Sequence, residues 1–260
     1  MKVNPNCKIV LVLSGKGGVG KSTVSTQLAL GWKKKGLKVG LLDADLCGPS
    51  IPHMLGISDH DIYQNESGWD PVYTDDTKGL GVMSIGFLLS RSNESVVWRG
   101  PKKNSMIKKF VQDVTWGDRE IIIIDTPPGT SDEHISLLEC LRSSNLIGNT
   151  VGVLVTTPQI VSVNDVIREY DFCLKTKLKV AGIIENMSGY VCPNCSECTN
   201  IFSKGGGQEL ASKTYCPFLG AIPIEPKLAS AADSGDNFIQ KFEDSEVASI
   251  LESIISKIEF

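Results

Sequence analysis

A glycine-rich run that ends in lysine and serine carries the clearest chemistry in this chain. Ser14-Gly15-Lys16-Gly17-Gly18-Val19-Gly20-Lys21-Ser22-Thr23 fits G-x-x-x-x-G-K-[ST] from Gly15 to Ser22, the pattern of a loop that binds phosphate. The glycines let backbone N–H groups turn inward around an anion, and the helix that follows adds the partial positive charge of its N-terminus. Lys21 can reach the β- and γ-phosphates of a nucleotide, and the Ser22 hydroxyl can ligate Mg²⁺. Gly15, Lys16, Gly17, Gly18, Val19, Gly20, Lys21, Ser22 and Thr23 are therefore the expected cradle. Lys16 goes beyond the motif, because neither strand nor helix propensity explains a cation there.

Carboxylates come next. Asp125 ends the run Ile121-Ile122-Ile123-Ile124. A charge at the end of a strand that apolar needs a partner, and Mg²⁺, held directly or through water, is the natural one. Asp43 and Asp45 are two residues apart, so on a regular strand they would share a face. One could then serve the metal while the other points at an attacking water. Pro127, Pro128 and Gly129 make a stiff turn, from which backbone N–H groups of Gly129 or Thr130 could sense a γ-phosphate.

The chain has eight cysteines, of which Cys192, Cys195 and Cys198 are clustered and Cys216 follows. Thiolates at the C-x-x-C spacing of Cys192 and Cys195 can both ligate one metal or cluster, but they make only half of a four-ligand site. Two completions are open. One chain could use Cys192, Cys195, Cys198 and Cys216 for structural zinc, or two chains could each lend Cys192 and Cys195 across a two-fold axis. Cys47 stands near the phosphate loop and could be reactive, but a small buried residue is the expected reading. His53, His60 and His134 are isolated in sequence and are assigned to no metal.

Positioning these groups takes a set of alternating elements. Strands are predicted at Ile9–Leu13, Val39–Asp43, Leu80–Gly86, Ile121–Asp125, Val151–Thr156, Leu178–Asn186 and Phe218–Pro223, with a short one at Pro71–Thr74. Helices are predicted at Val24–Lys35, Lys102–Val114, Asp132–Leu141, Ile160–Lys175, Pro226–Ala232 and Glu246–Ile258, with short ones near His53–Gly56 and Gly207–Ser212. The alternation implies an α/β fold with a doubly wound, mostly parallel sheet, as in P-loop NTPases. The phosphate loop, Asp43, Asp125 and Asn186 would then meet at the carboxyl edge of the sheet. Residues 1–260 read as one domain, with 189–206 as a cysteine-bearing, metal-binding insertion.

Bulk properties fit this picture. A chain of 260 residues with 41% hydrophobic content can bury a sizeable core, and the formal charge is −4 with dispersed basic residues. A nucleic-acid surface would need clustered Lys and Arg. No apolar stretch reaches membrane-spanning length, and residues 1–8 lack the apolar core of a signal peptide. The expectation is a cytoplasmic protein in a reducing compartment, with neither nucleic acid nor membrane as partner. Guanine-selective proteins use Asn-Lys-x-Asp, which is missing here, so adenine is the expected base.

The string Lys16 to Ser22 resembles the deviant phosphate loop of the MinD/ParA/nitrogenase-iron-protein class. Taken with Asp43-Ala44-Asp45-Leu46-Cys47-Gly48-Pro49-Ser50, Trp98-Arg99-Gly100-Pro101, Asp125-Thr126-Pro127-Pro128-Gly129-Thr130 and Cys192-Pro193-Asn194-Cys195, nearly the whole chain resembles the Mrp/ApbC iron–sulfur carrier ATPases. Within that family it is most like the short cytosolic scaffold type, since the longer type carries four cysteines ahead of the loop and only Cys7 stands there here. Ser131 replaces a glycine common in the family.

The resemblance implies roles. Lys16 would reach across a dimer to the partner's nucleotide and act in catalysis with Lys21 and Asp45. Asp43 would belong to the Mg²⁺ shell, Asp45 would activate water, and Asn186 would read adenine. Cys192 and Cys195 would hold a labile [4Fe–4S] cluster bridging two subunits. The expected cofactors are ATP, Mg²⁺ and that cluster. The expected function is a slow, regulatory ATPase that assembles the cluster and transfers it to cytosolic and nuclear recipient apoproteins. It would work as a homodimer or as a hetero-oligomer with a longer paralogous scaffold ATPase.

The alternative is a MinD/ParA-like positioning switch with a structural zinc loop, which would need a membrane or DNA surface. Val247–Ile258 is amphipathic but has few basic residues, so packing on the sheet is its expected role. A small-molecule kinase is the third reading, and no stretch of the chain reads as its substrate site or lid.

Overall fold

The computed structural model describes residues 2–66, 68–88, 100–191 and 198–260. Its centre is an eight-stranded sheet of β1 (Lys8–Leu13), β2 (Val39–Asp43), β3 (Val72–Tyr73), β4 (Leu80–Ser84), β5 (Ile121–Asp125), β6 (Thr150–Thr156), β7 (Lys179–Asn186) and β8 (Phe218–Ile222). The spatial order is β8-β7-β6-β1-β5-β2-β4-β3, and every pairing is parallel except that of β3 with β4. Helices α1 (Lys21–Lys34), α2 (Ile51–Met54), α3 (Gly100–Asp113), α4 (Asp132–Ser143), α5 (Ile160–Lys175), α6 (Gly206–Thr214), α7 (Pro226–Ser234), α8 (Phe238–Lys241) and α9 (Glu246–Lys257) connect and cover the strands.

Strand alternation splits the core into two layers. Val10 and Val12 of β1 face one layer with Val24 and Leu28 of α1, Phe238 of α8 and Leu251 and Ile254 of α9. Ile9, Leu11 and Leu13 face the other layer with Phe110 of α3, Leu137 of α4, Val166 of α5 and Leu210 of α6. Ile121 to Ile124 are at most 2% exposed, as a strand covered on both faces requires. The apolar face of α9 lies on β8 and α1, so the C-terminal amphipathic helix is a packing element. Among the described residues, no helix is long and apolar enough to cross a membrane.

The short elements differ most from expectation. The α1 helix starts at Lys21, because the phosphate loop itself turns into the helix, and α2 starts two residues early at Ile51 with Pro52 in its first turn. The α8 turn at Phe238–Lys241 lies where the sequence predicts no element; Asn237 caps it by accepting from the Gln240 N–H. Two-residue pairings outside the main sheet join Lys2–Val3 to Thr115–Gly117, Gln64–Asn65 to Gly68–Trp69, and Tyr190–Val191 to Cys198–Thr199. The last holds together the two arms that flank Cys192 and Cys195 in the chain.

Candidate nucleotide site

The parallel register brings the site together. Val12 of β1 pairs with Asp125, and Asp125 pairs with Asp43, so both acids end neighbouring strands at the same level. The chain leaves β1 through Ser14, circles through the glycines and enters α1 at Lys21. Gly20 stands at the N-cap with φ +82° and no side-chain cap, so the first N–H groups of α1 are left for an anion. Gly18 also takes a positive φ of +80°. Gly15 packs so tightly on α5 that a Cβ would lie 2.3 Å from the Asp165 carbonyl carbon. The Val19 side chain is buried in the core, which leaves its peptide to the loop.

Asp125 is the hub. Its Oδ1 lies 2.8 Å from Lys21 Nζ and accepts from Ser25 Oγ at 2.6 Å; its Oδ2 accepts from Ser22 Oγ at 2.6 Å. Lys21 is 6% exposed and, despite this ion pair, makes no hydrogen bond of good geometry among the described residues. A buried ammonium with unused donors beside uncapped helix N–H groups is suited to phosphate oxygens. Ser22 and Asp125 present adjacent oxygens for Mg²⁺, although no group of three His, Cys, Asp or Glu ligands forms among the described residues. Asp43, 1% exposed, accepts from Ser84 Oγ at 3.0 Å. Burial, reinforced by the neighbouring Asp125, pushes its carboxyl up to about 8, and an arriving cation would favour ionisation.

Several expectations change. Asp43 and Asp45 do not share a strand face, because β2 ends at Asp43. Asp45 lies in the following turn, where its N–H donates to Asp43 Oδ1 and its own Oδ1 accepts from the Cys47 N–H, both at 3.2 Å. It still lines the cavity. Cys47 is exposed, not buried. Of the two N–H groups that could sense a γ-phosphate, that of Gly129 donates to Ser14 O at 2.8 Å, which leaves Thr130. Asn186 does stand at the end of β7, but its Nδ2 donates to Val19 O at 2.9 Å and so braces the phosphate loop. Lys16 Nζ rests 3.4 Å from Gln159 Oε1 at the start of α5. His134 serves α4 structurally: its Nδ1 accepts from the Ser131 N–H at 3.3 Å in a capping box. Burial pushes its imidazole down to about 4.

The cavity over the loop is about 200 Å³ and is lined by Ser14, Lys16, Lys21, Ser22, Thr23, Asp45, Ser50, Met54 and Pro128, with Gly17, Gly18 and Gly20. Typical small-molecule pockets span about 300–1,000 Å³, so one chain encloses the phosphate end and leaves the rest open.

Sequence reasoning missed Ser25, Ser84, Gln159 and Lys103. Ser25 was legible as the residue one helical turn after Lys21, and Ser84 as a polar end to a buried strand. Lys103 of α3 pairs with Glu133 of α4 at 3.1 Å, and Cys47, in the turn after β2, lies close enough to interact with the same ammonium. Only the fold reveals that contact. Cys192, Cys195, Trp98 and Arg99 lie outside the described residues. Cys198 is exposed on its strand, while Cys216 packs by Tyr170 and Cys173 under α5.

Comparison with known proteins agrees with this geometry. The ParA family profile described as NUBPL iron-transfer P-loop NTPase matches residues 6–259. The chicken (Gallus gallus) cytosolic Fe-S cluster assembly factor NUBP2 is 58% identical over 250 residues, covering 96% of this chain and 91% of its own. The Aedes aegypti Nubp2 homologue is 56% identical, covering 96% and 95%. A nucleotide-binding protein from Archaeoglobus fulgidus, solved with ADP, is 38% identical with a TM-score of 0.75, covering 90% of this chain and 87% of its own. MinD from Pyrococcus horikoshii, solved with Mg-ADP, shares the fold alone: 19% identity and a TM-score of 0.69, covering 97% and 96%. The phosphate loop, its aspartate hub and a match over nearly the whole length place the chain in the ParA family of NUBPL iron-transfer P-loop NTPases.

Proposed function

We propose that this protein is an ATP-dependent scaffold that assembles a [4Fe–4S] cluster between two subunits and passes it to recipient apoproteins of the cytosol and nucleus. The observation that carries the reading is the phosphate loop with its buried, incompletely bonded Lys21, set on the same sheet edge as the strand arms that lead to Cys192 and Cys195. The relatives' names as cytosolic Fe-S cluster assembly factors support it. The cluster is cargo, held by Cys192 and Cys195 of each subunit.

Lys21, the N–H groups of α1 and Ser22 would bind the phosphates and Mg²⁺, with Asp125 and Asp43 behind them. Mg²⁺ supplies charge neutralisation at the β- and γ-phosphates. Asp45 would orient water. Because the Asn186 Nδ2 is committed to a carbonyl, its oxygen is the acceptor left to meet the amino group of adenine. Lys16 would leave Gln159 and complete the partner's site, so turnover would be slow without a partner. The partner is a second copy or a longer paralogous scaffold ATPase.

The test is anaerobic purification with iron, zinc and sulfide counted per chain. Cys192→Ala and Cys195→Ala are expected to lose iron and sulfide while retaining ATP binding. Unchanged cluster content in both variants would reject the scaffold. Zinc in place of iron in freshly isolated protein would favour a MinD/ParA-like switch with a zinc-stapled loop.

A further inference from the structure

Glu185 and Asn186 are adjacent at the carboxyl end of β7, and each holds a different loop. Strand alternation sends them to opposite faces of the sheet. On the α1 side, Asn186 Nδ2 grips Val19 O at 2.9 Å and sits where a Cβ on Gly20 would lie 2.1 Å from it. On the α6 side, the Glu185 carboxylate is 1% exposed and accepts from Ser188 Oγ and from the Gly207 N–H, each at 2.6 Å. Ser188 precedes the cysteine-bearing segment 189–206 and Gly207 follows it. One buried carboxylate therefore ties both ends of that segment to β7, while its neighbour holds the phosphate loop.

The fit leaves little slack. A Cβ on Gly207 would lie 2.8 Å from Glu185 Cβ, and one on Gly206 would lie 2.6 Å from Pro158 O. Nothing in phosphate binding calls for Glu185, and a buried carboxylate is costly unless its hydrogen bonds are kept.

We propose that Glu185 and Asn186 form the positioning unit through which nucleotide at the phosphate loop sets the conformation of the cysteine segment. Of the function proposed above, this rests only on a nucleotide binding the loop. Phosphate entering the cradle moves the Val19–Gly20 peptide, and Asn186 moves with it. The next residue back on the same strand then carries the shift to Ser188 and Gly207 through two short hydrogen bonds. Coupling of this kind is reciprocal, so fixing the cysteine segment changes nucleotide affinity by the same factor. The test breaks one link and leaves both sites in place.

The experiment uses the full, reduced, metal-free chain. N-ethylmaleimide labelling rates of Cys192, Cys195 and Cys198 are read peptide by peptide by mass spectrometry, with and without Mg²⁺ and a non-hydrolysable ATP analogue. In the parent protein the nucleotide is expected to change these rates about fivefold or more. Glu185→Gln preserves shape but cannot accept at both positions; it is expected to bring the ratio near one while the analogue still binds. Ser188→Ala removes one of the two bonds and is expected to give an intermediate ratio, which keeps the test valid if Glu185→Gln folds poorly. A parent ratio of one, or an unchanged ratio in the variants, would overturn the proposal. Iron and sulfide counts on the anaerobically purified parent and variants, taken before the metal is stripped for labelling, separate the two readings. A cluster with no loss of coupling in the variants rejects only this inference, and lost coupling with no cluster rejects only the scaffold.

Discussion

At the residue scale, Gly20 is where backbone and side-chain demands meet. Its φ of +82° opens the first turn of α1, and Asn186 occupies the space a side chain would need. Gly20→Ala is expected to cost about 1–2 kcal/mol for the left-handed backbone alone. It should also weaken nucleotide binding, because Asn186 must release Val19. Urea unfolding and a nucleotide titration check both effects, and a variant that matches the parent in each would remove Gly20 from the site. The glycine, Lys21, Ser22 and Asp125 were legible in the sequence, because a motif and a run of four isoleucines mark them. Asp45 was legible as a residue but not in its geometry. Its placement depends on β2 ending at Asp43, which the pairing with β4 and β5 decides. Lys103 was not legible at all, since its contacts join segments distant in sequence.

At the element scale, α5 carries an unsatisfied charge in its buried face. Glu169 is fully buried, and neither carboxylate oxygen has a hydrogen-bond partner among the described residues. Burial alone pushes its carboxyl up from 4.5 to about 7. The native state therefore holds this proton more tightly than the unfolded chain, and stability falls as pH rises from 4.5 through 7. The contribution lost is about 3 kcal/mol, since each pH unit between those two values removes about 1.36 kcal/mol. Urea unfolding at pH 5 and pH 8 should show that loss in the parent and not in Glu169→Gln. Equal pH dependence in the two proteins would mean that Glu169 finds a partner in solution. The period of α5 was plain, since its predicted and observed ranges coincide at Ile160–Lys175. The burial of Glu169 was not, because a charge in a helix gives no sign in the sequence of what packs over it.

At the scale of the molecule, the cavity over the loop is open and Lys16 rests on Gln159, which leaves room for the partner subunit of the proposed function. Lys16→Ala is expected to bind ATP about as tightly as the parent but to lose nucleotide-dependent dimerisation and at least about tenfold in turnover, the scale of removing a charge that acts in trans. Light scattering and phosphate release check this, and full activity in the variant would confine Lys16 to its own chain. The sheet order was only partly legible. Alternating strands and helices imply parallel crossovers, yet the insertion of β5 between β1 and β2 depends on long-range pairing. The Lys21–Asp125 pair has a consequence for how nucleotide enters. Asp125 already stands against the ammonium that phosphate would meet, and Lys21 has donors left for both, so a bound phosphate would lie close to a carboxylate. On the proposed function, Mg²⁺ would offset that repulsion. ATP offered without the metal is therefore expected to bind more weakly, held off by the protein's own acid.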